Sequence, residues 1–277
     1  MRNASAVACV IAATLTLATA GCGLKAVRRP AARLEPKPYL LHLPGITGGF
    51  WMHDQYCRAL NAGGFDAETA IYDWTGSRFA IAALTQRERN LIEAEKVARM
   101  ITKKYRAAPD RPLYLSCESG GAGVAVWALE RLPEDVHVEG VVLVSPALST
   151  EYDLSAALRH VRGRMLVFPS RSDSLILGIG TAVFGTMDRR HKKSAGLDGF
   201  TRPASADAAQ YAKLEQYHYR GKMLFTYGNG GGHAWAMYPH FASAWLAPRL
   251  IALARDGAAA KESPSTQPAS PDYASTR

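Results

Sequence analysis

Between residues 38 and 254 the chain alternates short apolar runs, rich in β-branched or aromatic residues, with stretches whose apolar positions recur every three or four residues. Few folds accept such a pattern. Strands separated by helices pair in parallel, and the crossover helices then cover both faces of the sheet. The runs that read as strands are Tyr39 to Leu43, Glu68 to Tyr72, Leu113 to Ser116, Val141 to Val144, Met165 to Phe168 and Met223 to Tyr227. Val141 to Val144 is apolar throughout, as a strand buried on both faces requires. Helices are predicted over Met52 to Ala62, closed by Gly63 and Gly64, over Val124 to Arg131, briefly over Leu154 to His160, and from Pro239 to Ala254. A long helix opens at Thr85, with Glu88 at capping-box spacing. Its Leu91, Ala94, Ala98, Ile101 and Tyr105 share one face. The expected fold is α/β, with a mostly parallel central sheet and helices on both faces. Hydrophobic residues make up 48% of the chain and charged residues 21%, enough apolar surface for a sizeable core.

The two ends do not belong to this pattern. Arg2 is followed by an uncharged run of apolar and small residues from Ala4 to Ala20, too short to span a bilayer comfortably. It reads as an export signal over 1–21. The run closes on Thr19-Ala20-Gly21-Cys22, which resembles the bacterial lipoprotein signal, although Thr19 stands where that signal usually has Leu. The resemblance implies lipidation of Cys22, a tether over 22–37 and attachment to the cell envelope, at the outer membrane in a Gram-negative host. Plain secretion after cleavage near Gly21 is the competing reading. The folded domain is placed at 38–254. The segment 255–277, rich in Ala, Ser, Pro and Thr without apolar periodicity, is expected to be disordered.

Formal net charge is +9, but Lys and Arg are scattered rather than interleaved with stacking aromatics, so nucleic acid is not expected as a partner. The run Arg189 to Lys193 reads as a solvated charged turn, with contact to phospholipid headgroups as the alternative. Beyond the signal, Cys57 and Cys117 are expected to be free, packed thiols, although an oxidising compartment would permit a disulfide. No metal-ligand spacing occurs, and neither metal nor cofactor is expected.

Ligands of an open parallel sheet gather at the C-terminal ends of its strands. Cys117-Glu118-Ser119-Gly120-Gly121 lies there, directly after one strand and before a helix. This segment resembles the nucleophile elbow G-x-S-x-G of the α/β-hydrolases, with Cys117 in place of the first glycine. Asp173 follows the strand ending at Phe168, and His233 follows Gly230-Gly231-Gly232. Their order is the family's Ser, Asp, His. The resemblance covers residues 38 to 254 and implies Ser119 as nucleophile, His233 as base and Asp173 as the acid that orients it. Asp188 and Asp198 are alternatives to Asp173. It also implies an oxyanion hole from the N–H of Gly120 and that of Ile46, with Thr47 as fallback. Ile46 lies in Leu43-Pro44-Gly45-Ile46-Thr47-Gly48-Gly49, similar to the family's His-Gly oxyanion loop.

Two features flank this site. Trp74 either lines the pocket or joins the core, and Gly178 to Gly185 forms either a wall over the acyl site or a packed connection. Between the strands ending at Val144 and Phe168 there is room for one short helix, so little or no cap domain is expected. The implied activity is hydrolysis of a small-molecule or lipid ester through an acyl-enzyme, by a monomer. Thioesterase, amidase and acyltransferase chemistry would use the same residues. A catalytically silent envelope lipoprotein that binds a ligand or partner on this scaffold is the alternative.

Overall fold

Among the described residues, six strands form one sheet in the order β2-β1-β3-β4-β5-β6, and every neighbouring pair is parallel. They are β1 (Tyr39–Leu43), β2 (Glu68–Ile71), β3 (Leu113–Glu118), β4 (Val138–Val144), β5 (Val161–Phe168) and β6 (Leu214–Gln216). Successive residues of a strand face opposite sides, and two cores result. Leu41, Leu43, Leu115, Cys117, Leu143 and Val167 point to one side. There they meet α2 (Arg87–Ala107), α3 (Gly120–Leu129) and α4 (Ser155–Arg159). Leu40, Tyr114, Val142, Val144, Leu166 and Phe168 point to the other. They pack on α1 (Trp51–Ala62) and on the C-terminal helical run. The expected α/β architecture, a parallel central sheet with helices on both faces, is therefore observed, and only the short α4 separates β4 from β5.

The computed structural model describes residues 34–76, 83, 85–171, 186–189 and 193–262. The signal segment, Cys22, most of the tether, Asp173 and Gly178 to Gly185 lie outside the described residues. No helix among the described residues is long and apolar enough to cross a membrane.

Three local expectations need correction. Met223 to Tyr227 is not a strand but lies in helix α7 (Lys222–Tyr227), which follows the short α5 (Ala195–Asp198) and α6 (Ala208–Tyr211). A five-residue apolar run does not distinguish strand from helix, and α7 buries none of its side chains, with Phe225 89% exposed. The last strand is instead β6, whose Leu214, Glu215 and Gln216 pair with Met165, Leu166 and Val167 of β5. Second, α2 takes Gln86 rather than Thr85 as its N-cap, and that residue makes no side-chain cap hydrogen bond. Third, the closing helix runs on past Ala254. It begins as α8 (Pro239–Phe241), passes through a π turn at Ala242–Leu246 and continues as α9 (Ala247–Glu262). Three consecutive alanines before Lys261 favour the helix; residues 263–277 lie outside the described residues.

Candidate active site

The turn between β3 and α3 puts Ser119 at φ 52° and ψ −117°. A left-handed backbone at a non-glycine residue costs about 1–3 kcal/mol and persists only where the surroundings fix it. Here they do. Ser119 N–H donates to Val144 O at 2.8 Å, and Ser119 O accepts from the N–H groups of Ala122 and Ala147, each at 3.1 Å. The glycines beyond it are packing requirements. A methyl group on Gly121 would overlap the carbonyl oxygens of Leu43 and Pro44. One on Gly120 would crowd Ile46, Trp74 and the Met187 sulfur. The first turn of α3 can therefore sit directly on the loop after β1, and all ten of the helix's residues are buried.

That loop is held from below. Trp74 is fully buried and donates its indole N–H to Pro44 O at 2.7 Å, so it belongs to the core and also anchors the loop. Asp73 Oδ2 accepts from Gly49 N–H at 3.2 Å, while Oδ1 accepts from the Thr75 N–H and hydroxyl. Burial opposes the charge on Asp73, but these donors hold its carboxyl below the usual range. The loop turns through Gly48 N–H to Gly45 O at 3.1 Å. Among the described residues, the N–H groups of Ile46 and Gly120 enter no backbone hydrogen bond. With the Ile46 side chain against Gly120, the two proposed oxyanion donors share one corner of the fold.

His233 arrives from the opposite side, on the glycine-rich loop after α7. Buried Asn229 braces this loop, donating to Trp235 O at 2.7 Å and accepting from Gly231 N–H at 3.0 Å. The Tyr219 hydroxyl donates to Asn229 O at 2.7 Å. Ser145, itself at φ 45° just past β4, donates its hydroxyl to the His233 carbonyl at 2.6 Å. The imidazole Nε2 lies 2.7 Å from Glu118 Oε1, so the residue before Ser119 meets the residue read as its base. Glu118 Oε2 rests on the backbone of Gly45, where any side chain would overlap it. Sequence reasoning missed Glu118 and Ser145. The first occupies the variable position of the motif, and the second sits at a strand end without any motif.

Asp173 lies outside the described residues, but β5 ends at Phe168 as expected. Both alternative carboxylates have other engagements. Asp188 accepts from Ser149 N–H at 3.1 Å and Ser149 Oγ at 2.6 Å. Asp198 lies 3.2 Å from Arg171 and 3.9 Å from Lys193. Cys57 and Cys117 are free and buried. Burial pushes the Cys57 thiol up to about 12 and raises that of Cys117.

Behind the loop after β1, His42 of β1 and His53 of α1 are fully buried, with Nε2 of the first 2.9 Å from Nδ1 of the second. Burial, followed by the neighbouring His53, drives the His42 imidazole down to about 3. His53 is lowered as well, by burial above all.

No protein-family model matches the chain, and no curated protein does. Among solved structures it is similar to lipase B of Aspergillus fumigatus, with 16% identity and a TM-score of 0.48, over 79% of this chain and 53% of the lipase. The chain thus spans about half the length of that lipase. It is also similar to Est1E of Butyrivibrio proteoclasticus, with 11% identity and a TM-score of 0.46, over 78% of this chain and 88% of that one. An acetylxylan esterase aligns at 9% identity and a TM-score of 0.44, over 79% and 97% of the respective chains.

Proposed function

We propose that the chain is a serine hydrolase that cleaves carboxylic esters through an acyl-enzyme, with Ser119 as nucleophile, His233 as base and Asp173 as the acid behind the base. The observation that carries this reading is the strained Ser119 turn at the end of the central strand β3, with the Ile46 loop packed on Gly120 and His233 against Glu118. In the proposed mechanism Ser119 Oγ attacks the ester carbonyl while His233 accepts its proton. The oxyanion of the tetrahedral intermediate is met by the N–H groups of Gly120 and Ile46, aided by the positive end of α3. Imidazolium then protonates the departing alcohol, and water, activated by the same base, releases the acid. All chemical roles fall to the chain's own residues.

A fluorophosphonate probe tests the reading. Wild type is expected to be labelled and Ser119→Ala not. Absence of labelling in folded wild type would instead favour a silent scaffold that binds a ligand or partner. Turnover of p-nitrophenyl esters of increasing acyl length then defines the substrate, and strict preference for short acyl groups would exclude a lipid ester. We further propose export and attachment to the envelope through lipidated Cys22. Cys22→Ser is expected to move the protein from the membrane fraction to the soluble one, and continued membrane association would count against the anchor.

A further inference from the structure

Helix α7 is fastened to the fold along one edge. Met223 and Tyr227, one turn apart, are half-buried against the second core. The Tyr227 ring meets His240 and Phe241 of α8 edge-on, at 5.8 and 5.3 Å between centroids. Leu224 and Phe225 have no place in that core and are 49% and 89% exposed. Single apolar residues are ordinary on a protein surface, but the surroundings of this pair are not. His218, Arg220 and Lys222 precede it and are all exposed, and from Gln216 to Arg255 the chain holds neither Asp nor Glu. Beside α7, where α1 meets α8, lies a groove of about 790 Å³ lined by Arg58, His240 and Ser243, among others. Asp54, the acidic residue of α1, does not line it. An apolar pair bordered by cations matches a surface that is apolar within and anionic outside.

From this pattern we propose that α7 docks on a phospholipid surface with anionic headgroups, Leu224 and Phe225 entering the acyl boundary while Arg220, Lys222 and Arg58 meet the phosphates. Apolar side chains gain by leaving water for the interface. Basic residues gain from the negative surface potential, an attraction that salt screens. A six-residue helix offers little surface for this, so the docking is reversible and serves to orient the chain. Because α7 leads directly into the loop that carries His233, docking turns that loop toward the lipid. The proposal goes beyond the serine-hydrolase reading and does not depend on it, since binding is measured without turnover.

The test uses the full chain with Cys9→Ser and Cys22→Ser, so that no lipid is attached, and an environment-sensitive fluorophore on Thr226→Cys, next to Phe225. Cys57 and Cys117 are buried and do not compete for the label. A control carries the fluorophore on Ile92→Cys, exposed on α2 across the sheet. Vesicles of phosphatidylcholine and phosphatidylglycerol in equal parts should brighten and blue-shift the probe at 226 but not at 92, and added salt should weaken the change. Phe225→Ser is expected to raise the vesicle concentration needed for half the change about tenfold, and Lys222→Gln about fivefold. Both side chains are exposed, so neither variant should disturb the fold. A probe at 226 that does not respond, or responds equally to pure phosphatidylcholine, would overturn the proposal. So would an equal response at 92, which would mean that the apolar run Ala4 to Ala20 holds the chain to the vesicle in no fixed orientation. A response that grows with protein concentration in the absence of vesicles would assign this face to a second copy of the chain instead. Docking without ester turnover would leave the proposal standing and sink only the hydrolase reading.

Discussion

The two halves of the candidate site are built by opposite means. On the nucleophile side, every residue of β3 and α3 is buried, and glycines let helix and loop touch backbone to backbone. On the base side, α7 buries none of its side chains, and a methyl group on Gly228, Gly230 or Gly232 would meet nothing within 4 Å. There, among the described residues, Ser145 and Glu118 reach His233 itself, while Asn229 and Tyr219 brace the loop that carries it. Bulk packing over-determines the position of Ser119, whereas the described contacts of His233 are directed ones, to Ser145 and Glu118. Damage on the first side should cost fold and activity together. Damage on the second should cost activity alone.

His233→Ala should separate the two most widely. Ester turnover is expected to fall on the order of 10⁴-fold or more, with the urea midpoint within ~0.5 kcal/mol of wild type. A large loss of stability would contradict the lightly built base side. Acid provides the next largest effect, this time on the nucleophile side. His42 has its folded pKa lowered to about 3 from 6.5, so the unfolded chain binds more protons between those values. The stability owed to neutral His42 is complete above pH 6.5 and drains away as pH falls toward 3, at up to about 1.4 kcal/mol per unit. Urea titrations at several pH values should show this slope, and His42→Gln should flatten it. A slope that persists in His42→Gln would assign it elsewhere.

Gly121→Ala forces a methyl group toward two carbonyl oxygens in the backbone and should destabilise by about 1–3 kcal/mol. Fluorophosphonate labelling is expected to slow with it, because Ser119 moves when α3 moves. Unchanged labelling at reduced stability would uncouple packing from site geometry. The smallest effect belongs to Ser145→Ala, which deletes the hydroxyl bonded to the His233 carbonyl. It should cost ~1 kcal/mol of stability, and a several-fold drop in kcat at little-changed KM would show that the bond aims the base.

The same contrast explains what could be read from the chain. Strands β1, β3, β4 and the Met165 to Phe168 half of β5 are buried on both faces, and their apolar runs stand out in the sequence. β6 is a short edge strand with Glu215 and Gln216 in it, visible only through its pairing with β5. The apolar run Met223 to Tyr227 then attracted the strand assignment that β6 should have had. Ser119 was legible because glycines must surround it. The glycine loop before His233 was legible, although a helix rather than a strand precedes it. Glu118 and Ser145 were not, because their roles arise from contacts between distant segments, Glu118 with His233 and Ser145 with the same residue's carbonyl. No local pattern encodes such contacts.

The seat of Glu118 on Gly45 also limits the order in which this chain can change. Any side chain gained at position 45 collides with the carboxylate while Glu118 is present. Gly45→Ala should therefore be harmful in the wild-type background and close to neutral once position 118 carries a shorter residue. The two positions form an epistatic pair, because what a side chain at 45 costs depends on what stands at 118.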